Sequence, residues 1–174
     1  SKVAFLGLGV MGFPMAGHLS KKYDLTVYNR STHKTKNWLD SYKGSMANSP
    51  SEAAKDADFV LCCVGNDDDL KSVLLGDNGA LNSMRKGSLV VDHTTCSAKV
   101  TRELGKYADK NGVGFVDAPV SGGQAGADSG QLTIMCGGTE ENYNKVKPII
   151  SHYSKFSSLM GPSGSGQLTK MVNQ

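Results

Sequence analysis

Two stretches of this sequence have residue types and spacings suited to chemistry. The first is KVAFLGLGVMG at residues 2–12, in which Gly7-Leu8-Gly9-Val10-Met11-Gly12 reads GxGxxG. In such a run Gly7 allows a tight turn, Gly9 lets a pyrophosphate approach the backbone, and Gly12 lets the following helix pack closely on the preceding strand. The N-terminus of that helix offers N–H groups and the positive end of a dipole to phosphate. The fingerprint is weak alone, but a strand before it, a helix after it and a second strand in register turn it into a dinucleotide site. The second stretch, DAPVSGG at residues 117–123, follows an apolar run from Val113 to Val116. Paired glycines admit a ligand to the backbone and Ser121 adds a hydroxyl, which suits a small anion. An ordinary turn would use the same residues.

Other positions should complete the first site. The second strand ends in Val27-Tyr28-Asn29-Arg30-Ser31, where NAD-binding folds commonly place an acid for the ribose hydroxyls. Neutral Asn29 does not repel a 2′-phosphate, and Arg30 can hold one, with Ser31 and Lys34 adding donors. The expected cofactor is therefore NADP in preference to NAD. Val64, Gly65 and Asp69, after the fourth strand, should form the facing wall, and Asp67 to Asp69 should cap the next helix. Thr95 either bonds the nicotinamide side or caps the helix after it. His93 is the residue type most used for acid–base work, but the sequence supplies it no partner. Cys62, Cys63, Cys96 and Cys136 lack metal-ligand spacing and read as buried, reduced thiols, so no metal is expected.

The elements that must position these residues are legible as alternating short apolar runs and longer helical patterns, the signature of βαβ units around a parallel sheet. Strands are expected near 2–6, 24–28, 44–46, 58–64, 88–92, 113–118 and 131–136. Helices are expected near 11–22, 31–41, 49–55, 67–75, 97–111 and 139–151. Ser49-Pro50-Ser51-Glu52 has the form of a capping box with proline at the first helical position, and Thr139 precedes two glutamates. The 174 residues fit one domain, and a net charge of +3 with interspersed signs argues for neither nucleic acid nor a membrane surface. No apolar run approaches the roughly 20 residues of a membrane span, and no signal peptide is legible.

Taken together, GLGVMG, YNRS, DHTT, DAPVSGG with GQLTIMCGG, and GSGQLTKMVNQ at the tail resemble the β-hydroxyacid dehydrogenase family. That family includes 3-hydroxyisobutyrate dehydrogenase and, more distantly, 6-phosphogluconate dehydrogenase. The resemblance runs the whole length of the chain. It implies a Rossmann-type, doubly wound, mostly parallel α/β sheet over residues 1–160, with 161–174 starting a helix that leads to an all-helical domain outside this sequence. It implies that Ser121, Gly122 and Gly123 cradle a small carboxylate substrate, that Lys170 is the catalytic lysine and that Asn173 is its partner amide. The Asn173-Gln174 pair is most like the tartronate semialdehyde reductase branch. The implied reaction is hydride transfer between NADP and a 3-hydroxyacid or semialdehyde, with 174 residues alone turning over little. The alternatives are a glyoxylate or succinic semialdehyde reductase, a tartronate semialdehyde reductase, or a dinucleotide-binding module without catalysis. The resemblance also implies a homodimer or homotetramer formed through the helical domain, in the cytoplasm or an organelle matrix.

Overall fold

The computed structural model describes residues 1–173. Among them the chain runs β1 (Lys2–Leu6), α1 (Gly12–Ser20), β2 (Asp24–Tyr28), α2 (Thr32–Ser41), β3 (Ser45–Met46), α3 (Pro50–Ala54), β4 (Phe59–Cys62) and α4 (Asp67–Leu75). It continues β5 (Leu89–Asp92), α5 (Ala98–Lys110), β6 (Gly114–Asp117), β7 (Val120–Ser121), α6 (Gly123–Ser129), β8 (Leu132–Gly137), α7 (Glu140–Ile150), β9 (Ser154–Gly161) and α8 (Ser165–Asn173). The strands form one sheet in the order β3-β2-β1-β4-β5-β6-β8-β7, with β9 also pairing with β8. From β3 to β6 every pair is parallel; β8 runs against its neighbours β6 and β7, and β9 lies parallel to β8. This is the Rossmann-type, mostly parallel α/β architecture.

Continuously apolar strands follow from burial on both faces. Along β1, Val3 and Phe5 join one core with Met15, Leu19 and Trp38, while Ala4 and Leu6 join a second core with Leu70, Leu74 and Leu104. Local chemistry sets the helix starts. Ser49 Oγ accepts from the Glu52 N–H at 3.1 Å, but the Glu52 carboxylate returns to the N–H of Asn48 at 3.3 Å rather than of Ser49, so the capping box is shifted by one residue. Thr139 caps α7 and Ser97 caps α5 in the same way. The cap of α4 is Asn66, whose Oδ1 accepts from the Asp69 N–H at 2.8 Å; Asp67, Asp68 and Asp69 instead fill the first turn, where their charge meets the helix dipole.

Three elements lie where the sequence reading had only loop: β7, α6 and β9. The segment from β6 to β7 lies in one continuous antiparallel register against β8, with Asp117 opposite Gly137, Val120 opposite Ile134 and Ser121 opposite Thr133. The strand that passes Asp117 thus delivers Ser121 to a fixed place on the sheet.

Candidate functional site

The chain order reverses between β1 and β4, and a crevice at the C-terminal ends of those strands is the expected ligand site of such a sheet. A cleft of about 680 Å³ lies there. Its floor is the β1–α1 loop, with Gly7, Gly9, Val10, Met11 and Gly12. Asn29, Arg30, Ser31 and Lys34 border it on one side, and Val64, Gly65 and Asp69 on the other.

The three glycines of the loop answer to different demands. At Gly7, with φ of +104°, a Cβ would fall on the carbonyl of Cys63, and at Gly12 it would fall on the carbonyl of Gly7. Packing within the protein requires both. A Cβ on Gly9 would meet nothing within 4 Å. No protein atom requires glycine there; the bare backbone faces the open cleft, as a dinucleotide's pyrophosphate would need.

Asn29 has a structural task. Its Oδ1 accepts from the Leu8 N–H at 2.9 Å and its Nδ2 donates to the Ser31 carbonyl at 3.0 Å, tying the glycine loop to the end of β2. Leu8 therefore departs from expectation. Its side chain is buried and its N–H is committed to Asn29, so it shapes the loop without lining the cleft. The Arg30 side chain is 86% exposed and its guanidinium reaches only to 3.5 Å from Asp69 Oδ1, a pair that contributes little.

A second group stands on β7 and α8, outside the cleft lining. Ser121, Gly122 and Gly123 are exposed, and the two glycines take φ of +129° and +63°, which side chains rarely adopt. Lys170 lies in the second turn of α8, and its Nζ donates to the Val120 carbonyl at 2.8 Å, next to Ser121. Asn173, on the same helix face, places Nδ2 at 3.6 Å from Met135 Sδ. Gln174, the other half of the Asn-Gln pair, lies outside the described residues.

The loop after β5 corrects the capping alternative for Thr95. Thr95 is exposed, does not border the cleft and caps nothing, since Ser97 caps α5. Its neighbour Thr94 is buried and does the structural work, accepting from the Val64 N–H through Oγ1 at 3.1 Å. His93 is also buried. Its Nδ1 lies 2.7 Å from the Ala118 carbonyl and can only donate there, which leaves Nε2 to accept from the Tyr153 hydroxyl at 2.6 Å. Burial lowers this imidazole to about 4, so it is a neutral core residue with both nitrogens committed.

Asp92 and Asp117 sit side by side in the β5–β6 register, both buried. Desolvation raises the Asp92 carboxyl to about 7 against the opposing pull of the Thr94 N–H. It also raises Asp117, which several backbone N–H groups partly offset. Burial pushes the Cys63, Cys96 and Cys136 thiols to about 12, and all four cysteines are free. Among the described residues no helix is long and apolar enough to cross a membrane.

Residues 2–162 match the family model described as the NAD binding domain of 6-phosphogluconate dehydrogenase. An uncharacterized oxidoreductase of Shewanella frigidimarina is 55% identical over 175 residues, covering 100% of this chain and 60% of its own. A probable 3-hydroxyisobutyrate dehydrogenase-like protein, mitochondrial, of Arabidopsis thaliana is 40% identical, covering 100% of this chain and 58% of its own. The structure of Mycobacterium tuberculosis 3-hydroxyisobutyrate dehydrogenase with L-serine superposes with a TM-score of 0.94 at 28% identity, over 99% of this chain and 58% of that one. The chain thus spans less than two thirds of the length of these relatives.

Proposed function

The chain belongs to the family of the NAD binding domain of 6-phosphogluconate dehydrogenase, in its 3-hydroxyisobutyrate dehydrogenase-like branch, and on that premise we propose that it serves hydride transfer between NADP and a small 3-hydroxyacid or the matching semialdehyde. The dinucleotide fits the cleft because Gly9 leaves its backbone open where no protein atom takes up the space. Gly7 to Gly12 and the start of α1 would hold the pyrophosphate, and Val64, Gly65 and Asp69 face it across the cleft. NADP is the reading for the 2′ end because β2 ends in a neutral amide and a largely free guanidinium, with Ser31 and Lys34 beside them. When bound, the nicotinamide accepts or returns the hydride.

The remaining work falls to this chain's own side chains. Ser121, Gly122 and Gly123 receive the substrate carboxylate with a hydroxyl and exposed backbone. Lys170 takes the proton from the substrate hydroxyl during oxidation and returns it during reduction, while its positive form stabilises the developing alkoxide. Asn173, one turn on, orients the lysine or the substrate oxygen. The observation that carries this reading is the 2.8 Å bond from Lys170 Nζ to the Val120 carbonyl, which holds the ammonium beside Ser121. The L-serine in the mycobacterial structure, a small acid with a hydroxyl on its third carbon, fits the same substrate class. Helix α8 (Ser165–Asn173), which starts four residues later than the sequence reading set it, is read as the start of a connection to a helical, subunit-joining domain.

The test is a rate panel on the protein at its natural length, with NADP and NAD against small 3-hydroxyacids, semialdehydes and glyoxylate. The reading expects the highest kcat/KM for a 3-hydroxyacid or its semialdehyde with NADP. A preference for glyoxylate would replace the substrate class, and no turnover beside firm dinucleotide binding would replace the enzyme with a binding module.

A further inference from the structure

The start of α8 is held in an unusual way. Ser163 Oγ, near the helix start, has no hydrogen-bond partner among the described residues, and the capping oxygens come from Asp117 at the end of β6. One carboxylate oxygen accepts from the Gly164 N–H at 2.9 Å and the other from the Gln167 N–H at 3.1 Å. A buried acid thus meets the positive end of the helix dipole. Gly166 lets the helix backbone sit directly on the sheet, since a Cβ there would fall on the Met135 carbonyl.

Gln167 adds a second anchor. It is buried at 4% exposure, and both ends of its amide are in use. Nε2 donates to the Thr94 carbonyl at 2.7 Å, and Oε1 accepts from the Cys96 N–H at 3.2 Å. The same Thr94 takes the N–H of Val64, a wall of the dinucleotide cleft, on its hydroxyl. A side-chain amide can donate and accept at once without charge, so Gln167 joins the β5–α5 loop to α8 as a peptide group would. Lys170 follows Gln167 by one turn on the adjoining helix face.

From this chain of contacts we infer that Gln167 and Asp117 are positioning residues, which together fix the height and rotation of α8 so that Lys170 stands in register with the cofactor cleft. The inference rests on the proposed role of Lys170. Neither residue touches the reacting atoms; each acts through the helix. A catalytic group displaced by about 1 Å can lose on the order of 10²-fold in rate, and that is the expected effect of freeing the helix start.

The test is a double-mutant cycle on the protein at its natural length, with Gln167→Leu and Lys170→Ala singly and together. Gln167→Leu should lower kcat about 10²-fold and leave the KM for the dinucleotide within about threefold. In the Lys170→Ala background it should cost almost nothing further, because no lysine remains to be positioned. Asp117→Asn, nearly identical in shape, forms a parallel cycle with the same expectation and stands in if Gln167→Leu does not fold. A Gln167→Leu loss that is undiminished without Lys170 would overturn the inference by showing a general structural defect. A deep Lys170→Ala defect beside unaffected Gln167→Leu and Asp117→Asn enzymes would overturn the inference alone. A Lys170→Ala enzyme with normal kcat would overturn the proposed function as well.

Discussion

Replacing Arg30 with alanine should separate the two nicotinamide cofactors. A hydrogen bond to a charged group is worth about 1.5–3 kcal/mol. Arg30 is 86% exposed, and a solvated guanidinium works at the lower end of that range. About 1.5 kcal/mol corresponds to roughly a tenfold rise in the Kd for NADP. The same change leaves Asp69, which reaches Arg30 from the facing wall at 3.5 Å, unpaired, and its carboxylate adds repulsion toward a 2′-phosphate. NAD, which lacks the phosphate, should bind within about twofold of wild type. Salt provides an independent check. Raising it from about 0.1 M to about 1 M shortens the screening length from about 10 Å to about 3 Å, so wild-type affinity for NADP should fall more steeply than that of the variant. Titration of intrinsic fluorescence with each cofactor reads both effects. Equal losses for NADP and NAD, or an unmoved NADP affinity, would refute the assignment of Arg30.

Asn29→Asp should keep the acceptor for the Leu8 N–H but set a carboxylate against the Ser31 carbonyl; NADP affinity should drop while NAD affinity holds or improves, measured by the same titration. Gly9→Ala should weaken dinucleotide binding with a change in stability within about ±0.5 kcal/mol, whereas Gly7→Ala should lower Tm, because at Gly7, unlike Gly9, protein occupies the place of a Cβ. Asp92 is held near 7 by burial, against its ordinary 3.8. Between those values the folded chain keeps a proton that the unfolded chain has released, so this group's contribution to stability falls as pH rises from about 4 to about 7. Asp92→Asn should therefore gain more Tm over wild type at about pH 8 than at about pH 5; an equal gain at both would contradict the burial argument. His93 acts in the opposite sense. Its imidazole, lowered to about 4, costs stability as pH falls below the ordinary 6.5, and His93→Gln should flatten that acid limb in thermal melts.

The sheet and most helices were legible because each strand is a continuous apolar run and most helices start at a cap or charge that the sequence displays. β7 was not, because it is two residues long and owes its pairing to β8 on the other side of α6. GQAGADS, which forms α6, has no apolar period and several weak helix formers, and the half-buried serines of β9 break the alternation that marks a strand. The glycine loop, the end of β2 and the loop after β4 were found because each follows a strand at its C-terminal end, where an open α/β sheet meets its ligand. That Thr94 turns inward and Thr95 outward was not legible, because a pair of threonines in sequence does not show which one faces the core. Gln167 and Asp117 were passed over because their partners are backbone groups remote in sequence. The only available signal was an acid closing an apolar strand beside Asp92 in the neighbouring one.

If Lys170 moves the proton in the proposed hydride transfer, the kcat of Lys170→Ala must register its loss. General acid–base catalysis contributes typically about 10²–10⁴-fold, so kcat should fall by at least that range while NADP affinity stays near wild type. Lys170→Arg should not restore the rate, because a guanidinium stays protonated and cannot accept the proton. An alanine variant within a few-fold of wild-type kcat would contradict the account and remove Lys170 from the mechanism.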